Sequence, residues 1–209
     1  MLDPRGLLVV AKYQFKLLLT VNFIIAVGLC ILTPLIFGLR NLDSFGSSFV
    51  LERYVSLAGV ILLTPLLSPE QDKNIAELIK SKQAAHSVTL LLRIAMSLLF
   101  MILLIVAVII AMRILGGEFD AIQFFIGTFA TAFFLGAIGF AFHAFLNNIV
   151  IGYFAAIVYY LLNFSLGTRL GNFWLFSLSV GSMDEKYWLM CAGVLLFVCS
   201  TIVRNPTIN

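Results

Sequence analysis

"AIQFFIGTFATAFFLGAIGFAFHAFLNNIVIGYFAAIVYYLLNFSLGT", residues 121–168, runs for 48 residues without Asp, Glu, Lys or Arg. As one helix rising 1.5 Å per residue it would reach about 72 Å, more than twice the roughly 30 Å thickness of bilayer hydrocarbon. The stretch must therefore turn back. Asn147 and Asn148 stand near its middle, and paired amides suit a turn at a membrane surface. The passage reads as two membrane crossings.

The rest of the chain has the same character. Of 209 residues, 62% are hydrophobic and 11% charged, with a mean hydropathy of +1.09. A soluble domain of this size could not bury so much apolar surface. The class expected is an all-α integral membrane protein. The other charge-free intervals are Leu17 to Leu39 (23 residues), Tyr54 to Pro69 (16), Ile94 to Met112 (19) and Tyr187 to Val203 (17). With a crossing needing about 20 apolar residues, this predicts six transmembrane helices. The uncharged run Ser44 to Leu51 could extend the second helix outward past Glu52 and Arg53. The first interval is longer than a signal-peptide core and no A-x-A-like site follows it, so it reads as an anchor.

The basic residues set the orientation. With the N-terminus inside, the inner segments hold Arg5, Lys12, Lys16, Lys73, Lys80, Lys82, Arg93 and Arg204, eight against five outside: Arg40, Arg53, Arg113, Arg169 and Lys186. Both termini are then cytoplasmic, in a multi-pass protein of the plasma membrane. The net charge of +3 is too dispersed for a nucleic-acid partner. Cys30, Cys191 and Cys199 lie in apolar runs with no CxxC pair, which points to packing residues rather than a disulfide or metal set.

Two further segments are expected beside the crossings. Residues 1–16 open with Asp3-Pro4 and carry Arg5, Lys12 and Lys16 against apolar positions, the pattern of a helix in the inner interface or of an extension of the first crossing. Residues 169–184 enclose "LGNFWLFSLSVGSM", too short to span and too apolar for an ordinary loop. A hairpin or broken helix dipping into the outer leaflet, tied to the fifth crossing by Gly167 and Gly171, is expected before the sixth crossing.

The polar exception is "LLSPEQDKNIAELIKSKQAAHS", residues 66–87. Ser68, Pro69 and Gln71 form a capping box with proline at the first helical position, and Glu70 and Asp72 sit where the helix dipole is positive. Ile75, Leu78 and Ile79 recur at helical spacing, and Lys80 and Lys82 close the segment. This predicts an amphipathic helix over 68–82 on the cytoplasmic side, the alternative being a plain connecting loop. Its acids, Glu70, Asp72 and Glu77, disfavour an anionic lipid surface and favour a protein partner.

Here the sequence resembles the permease subunits of type-2 ABC exporters. Glu70, the triplet Glu77-Leu78-Ile79 and Arg93 match that family's acidic opening residue, Glu-Leu-Ile-like triplet and basic residue entering the third helix. Asn74-Ile75 stands where the family often has Gly-Thr, and Gln83 to Ser87 replaces its Pro-containing turn. The passage "LGAIGFAFHAFLNNIVIGYFAAIV" is similar to the fourth-to-fifth helix region, so the likeness covers nearly the whole chain. The resemblance implies a coupling helix at 68–82, with Glu70, Asp72, Asn74, Glu77, Leu78, Ile79 and Lys80 docking on a separate ATPase subunit. It also implies two ATPase copies per complex and a second permease subunit completing a homo- or heterodimer. ATP and Mg would bind the ATPase; this chain has no G-x-x-x-x-G-K-[ST] loop and no catalytic set of its own.

His143 and Asn147 have an H-x-x-x-N spacing, read as a hydrogen-bonded helix residue because no nucleophile motif or metal-ligand cluster accompanies it. An ion-coupled carrier would keep titratable groups within the membrane, and here every charge is assigned to a span end. The interior is accordingly expected to be apolar and aromatic, with almost no buried charge. Such a lining points to a hydrophobic or amphipathic cargo. A non-transporting scaffold or immunity protein is the alternative to an exporter.

Overall fold

The computed structural model describes residues 21–70 and 83–204, and among these it is helical with no strands. Six helices are numbered in chain order: α1, Val21–Phe37; α2, Ser44–Ser68; α3, Gln83–Ile114; α4, Ala121–Leu146; α5, Ile149–Leu166; and α6, Asp184–Arg204. Five of them, α2 to α6, are long and apolar enough to cross a membrane, while α1 has 17 described residues. The segment at 1–16 lies outside the described residues.

The starts of α2, α4 and α5 are written in the sequence. Asp43 caps α2, its carboxylate accepting from the Gly46 amide at 2.8 Å. Asp120 caps α4 through the Ile122 and Gln123 amides at 3.0 and 3.3 Å. Asn147 takes a left-handed conformation (φ 51°) and Asn148 then caps α5 by accepting from Val150 N at 2.9 Å. The paired amides thus perform the reversal inside the 48-residue stretch, one ending a helix and one starting the next.

α4 is the axis of the bundle. In its most apolar stretch 83% of residues are buried within the protein, against 17% in α5, so the outer helices present broad apolar faces to their surroundings. Small residues bring α2, α4 and α5 together. A Cβ at Gly59 would enter the Ala132 carbonyl, one at Gly136 would meet the Gly59 carbonyl at 2.6 Å, and one at Gly152 would meet the Gly139 carbonyl at 2.5 Å. Close backbone approach of this kind is how helices associate where lipid is as apolar as leucine. Also on α4, Phe140 stacks on Phe197 of α6 at 4.4 Å between ring centroids.

The bundle has two distinct ends. At one, the α1–α2 and α3–α4 loops pair through Asn41 N to Leu115 O (3.0 Å) and Glu118 N to Leu42 O (3.1 Å). At the other, His143 Nδ1 lies 2.7 Å from the Thr64 carbonyl, the hydrogen-bonded role read for it from sequence. Here α2 tightens into a 3-10 turn over Thr64–Glu70. Ser68 and Pro69 belong to this turn at the end of α2. Similarly, the expected turn at Gln83 to Ser87 is helical, because α3 starts at Gln83.

Candidate functional site

The second helix begins at Ser44, so Glu52 lies eight residues inside it, and the extension past Glu52 and Arg53 is the geometry found. At this point the helix widens to a π-turn over Leu51–Val55. Ser56 N reaches back five residues to the Leu51 carbonyl at 3.0 Å, which leaves the Glu52 carbonyl without its usual amide partner. The Ser56 hydroxyl donates to that carbonyl instead. π-turns inside α-helices frequently mark functional positions because the extra residue re-aims a side chain. Here it aims Glu52 into the core.

The segment between α5 and α6 comes to meet it. α5 is prolonged by a 3-10 stretch, Gly167–Phe173, in which Gly167 (φ 52°, ψ −129°) and Gly171 (φ 54°, ψ −126°) adopt backbone angles that L side chains rarely take. These two hinges turn the chain inward. Leu175, Phe176, Ser177 and Leu178 are buried, and a second 3-10 turn, Ser177–Val180, precedes α6. The Leu175 carbonyl lies 3.3 Å from the hydroxyl of Thr131, ten residues and so about 15 Å along α4 from its start. The segment is a broken helix folded into the bundle.

Backbone without a helix must find other partners at such depth. Side chains from four helices provide them. Tyr159 donates to the Phe173 carbonyl at 2.7 Å, Asn163 Oδ1 accepts from Leu175 N at 2.8 Å, and Glu52 Oε1 accepts from Leu178 N at 3.1 Å. Lys186, third residue of α6, donates from Nζ to Thr131 Oγ1 at 2.8 Å, to the Leu175 carbonyl and to Glu52 in a buried ion pair. Glu52 is 1% exposed and Lys186 is 0% exposed.

This overturns the expectation of an interior with almost no buried charge. Glu52 and Lys186 flank their apolar intervals in sequence, but α2 starts a full two turns before Glu52 and the segment ahead of Lys186 sinks into the bundle. Ionisable groups enclosed in membrane-spanning helices are functional candidates by default. Lys186 has three donors and three acceptors around it, so the ammonium is saturated. The arrangement can clamp α2, α4, α6 and the broken segment in one geometry, or release all four together. The lone sequence hint was the uncharged run Ser44 to Leu51 behind Asp43, which already allowed α2 to start early.

The chain is a multi-pass helical membrane protein. Compared with known proteins, no family model, no curated sequence and no solved structure matches it.

Of the residues assigned to partner docking, Glu70 ends the 3-10 turn of α2, and Asp72, Asn74, Glu77, Leu78, Ile79 and Lys80 lie outside the described residues, as does most of the helix expected at 68–82. Their flanks are described. Pro69 has no N–H, so the Leu66 carbonyl cannot complete a 3-10 turn to it. Arg93 Nη1, buried on α3, donates to that carbonyl over a long 3.4 Å. The two helices bordering the polar insert are thereby tied at its root.

Proposed function

We propose that this chain is the membrane-spanning permease subunit of an ATP-driven type-2 ABC exporter in the plasma membrane. It would form the substrate path with a second permease subunit and be driven by two separate ATPase subunits. In this reading α1, with the residues before it, is a sixth crossing, both termini are cytoplasmic, and the insert between Glu70 and Gln83 is the coupling element. The broken segment between α5 and α6 then dips from the outer surface.

The observation that carries the proposal is the tie between Arg93 and the Leu66 carbonyl at the root of the insert. A push on the insert moves α2 and α3 together. α2 is also the helix that holds Glu52, 14 residues from Leu66 and so about 21 Å away along the axis. A motor docked at the insert can therefore load the buried clamp in the opposite half of the bundle. The saturation of Lys186 favours this mechanical role over an ion-coupled carrier, which needs a group free to take up its ion.

Copurification tests the assignment. The full chain, extracted from its native membrane, should bring down a phosphate-loop ATPase whose activity in lipid depends on the complex. Charge reversal at Glu70 and Glu77 should abolish both association and transport. Intact association and transport in that variant would refute the docking role.

A further inference from the structure

Beside Glu52, which is paired with Lys186, stands a basic residue without such a partner among the described residues. Arg53 is half-buried, and its guanidinium carbon lies 4.2 Å from the Phe49 ring centroid and 5.2 Å from those of Phe164 and Phe176. Among the described residues no carboxylate pairs with it. Tyr160 fixes its backbone by donating to the Arg53 carbonyl at 2.7 Å. Arg53 is the tenth residue of a membrane-spanning helix, about 13 Å from its start. A guanidinium at that position is costly unless an anion reaches it.

An apolar groove leads away from the same place. Phe49 lies 6.0 Å from Phe37 and 6.1 Å from Tyr54 between ring centroids, and Phe37 and Tyr54 close one end of an open groove of about 460 Å³ along α1. From Phe37 to Ile25 and Gly28 at its far end the groove follows α1 for twelve residues, about 18 Å. Nothing lies within 4 Å of where a Gly28 Cβ would stand, so the groove floor is open there. The Phe49 ring stands between the Arg53 cation and the closed end of this 18 Å apolar channel, and the two match the head and tail of one amphiphile.

We propose that Arg53 and the α1–α2 groove form a site for a single anionic glycerophospholipid, its phosphate on the Arg53 guanidinium and one acyl chain along α1 past Gly28. Guanidinium binds phosphate with paired, charge-assisted hydrogen bonds. The aromatic faces of Phe49, Phe164 and Phe176 hold the cation while shielding it from water. An anionic headgroup is favoured over a zwitterionic one because it carries no ammonium to compete for its own phosphate. The site does not depend on the exporter reading: it would hold lipid equally in a scaffold.

The test places the full-length protein in nanodiscs of equal phosphatidylglycerol and phosphatidylcholine, then counts bound lipids by native mass spectrometry after release. The unaltered chain should retain phosphatidylglycerol preferentially. Arg53→Gln should cut that preference roughly tenfold, the loss of one strong charge-assisted contact. Arg53→Lys should keep part of it, and Gly28→Leu, which fills open space, should lower retention of both lipids. Equal retention by the unaltered chain, a preference surviving Arg53→Gln, or full occupancy in Gly28→Leu would each overturn the proposal. Should Arg53→Gln fail to fold, the unaltered chain and Gly28→Leu decide the matter alone.

Discussion

The ammonium of Lys186 and the carboxylate of Glu52 form an ion pair inside the bundle, joining the third residue of α6 to the π-turn of α2. Neither charge reaches solvent, and both also bond the chain between α5 and α6, through the Leu178 amide and the Leu175 carbonyl. The pair is thus the fastening of a non-helical segment that could not otherwise satisfy its backbone at this depth.

Removing one partner strands the other. Glu52→Leu or Lys186→Met alone should destabilise the protein by about 3–5 kcal/mol, whereas the two replacements together should recover much of that loss. Thermal unfolding in detergent micelles of the unaltered chain and the three variants measures the coupling. Additive losses would mean that the two charges act independently.

The glycine seam gives a contrast within one residue type. Gly59→Ala drives its Cβ into the Ala132 backbone and should cost well over about 1 kcal/mol with visible loss of folded yield. Gly28→Ala meets nothing within 4 Å and should be neutral or stabilising by roughly 0.5–1 kcal/mol, the usual gain of Ala over Gly in a helix. Melting temperatures of the two variants, compared side by side, check the packing of α2 on α4.

Gly171 and Asn163 test the broken segment itself. Gly171→Ala should cost roughly 1–3 kcal/mol from its backbone angles alone, since no neighbour obstructs a Cβ there. Asn163→Leu leaves the Leu175 amide unpaired and should cost about 1–3 kcal/mol. Limited proteolysis between Phe173 and Ser182 should speed up in both variants relative to the unaltered chain.

Arg93 tests the linkage at the root of the insert. Under the proposed function, Arg93→Gln weakens the tie to the Leu66 carbonyl and should lower transport several-fold while ATP hydrolysis by the assembled complex continues. Parallel assays of both activities in proteoliposomes separate this outcome from simple loss of assembly, in which both would fall together.

The helical plan was legible wherever charge and capping speak locally. The 48-residue uncharged run forced a reversal, and Asn147 and Asn148 supplied it with a left-handed turn and an N-cap. Gly167 and Gly171 marked the hinges of the segment before α6 because a positive φ leaves few other residues eligible. The clamp was not legible. Glu52 and Lys186 are far apart in sequence, each stands beside an apolar interval, and a count of flanking charges assigns both to the surface. Their burial follows from two tertiary facts: α2 starts at Asp43–Ser44, and the chain before Lys186 descends to the level of Thr131. The 3-10 turn over Thr64–Glu70 was equally hidden, since a capping pattern at Ser68 and Pro69 looks the same whether the preceding helix stops or tightens.

Amide hydrogen exchange over residues 173–183 tests the central claim most directly, comparing the unaltered protein in lipid nanodiscs with Glu52→Gln. The amides of Leu175 and Leu178 should be protected in the unaltered chain and should exchange faster in the variant by roughly tenfold or more, a loss of at least about 1.4 kcal/mol of local stability. Identical, strong protection in both proteins would contradict the account, since the segment would then be held in the bundle without the ion pair.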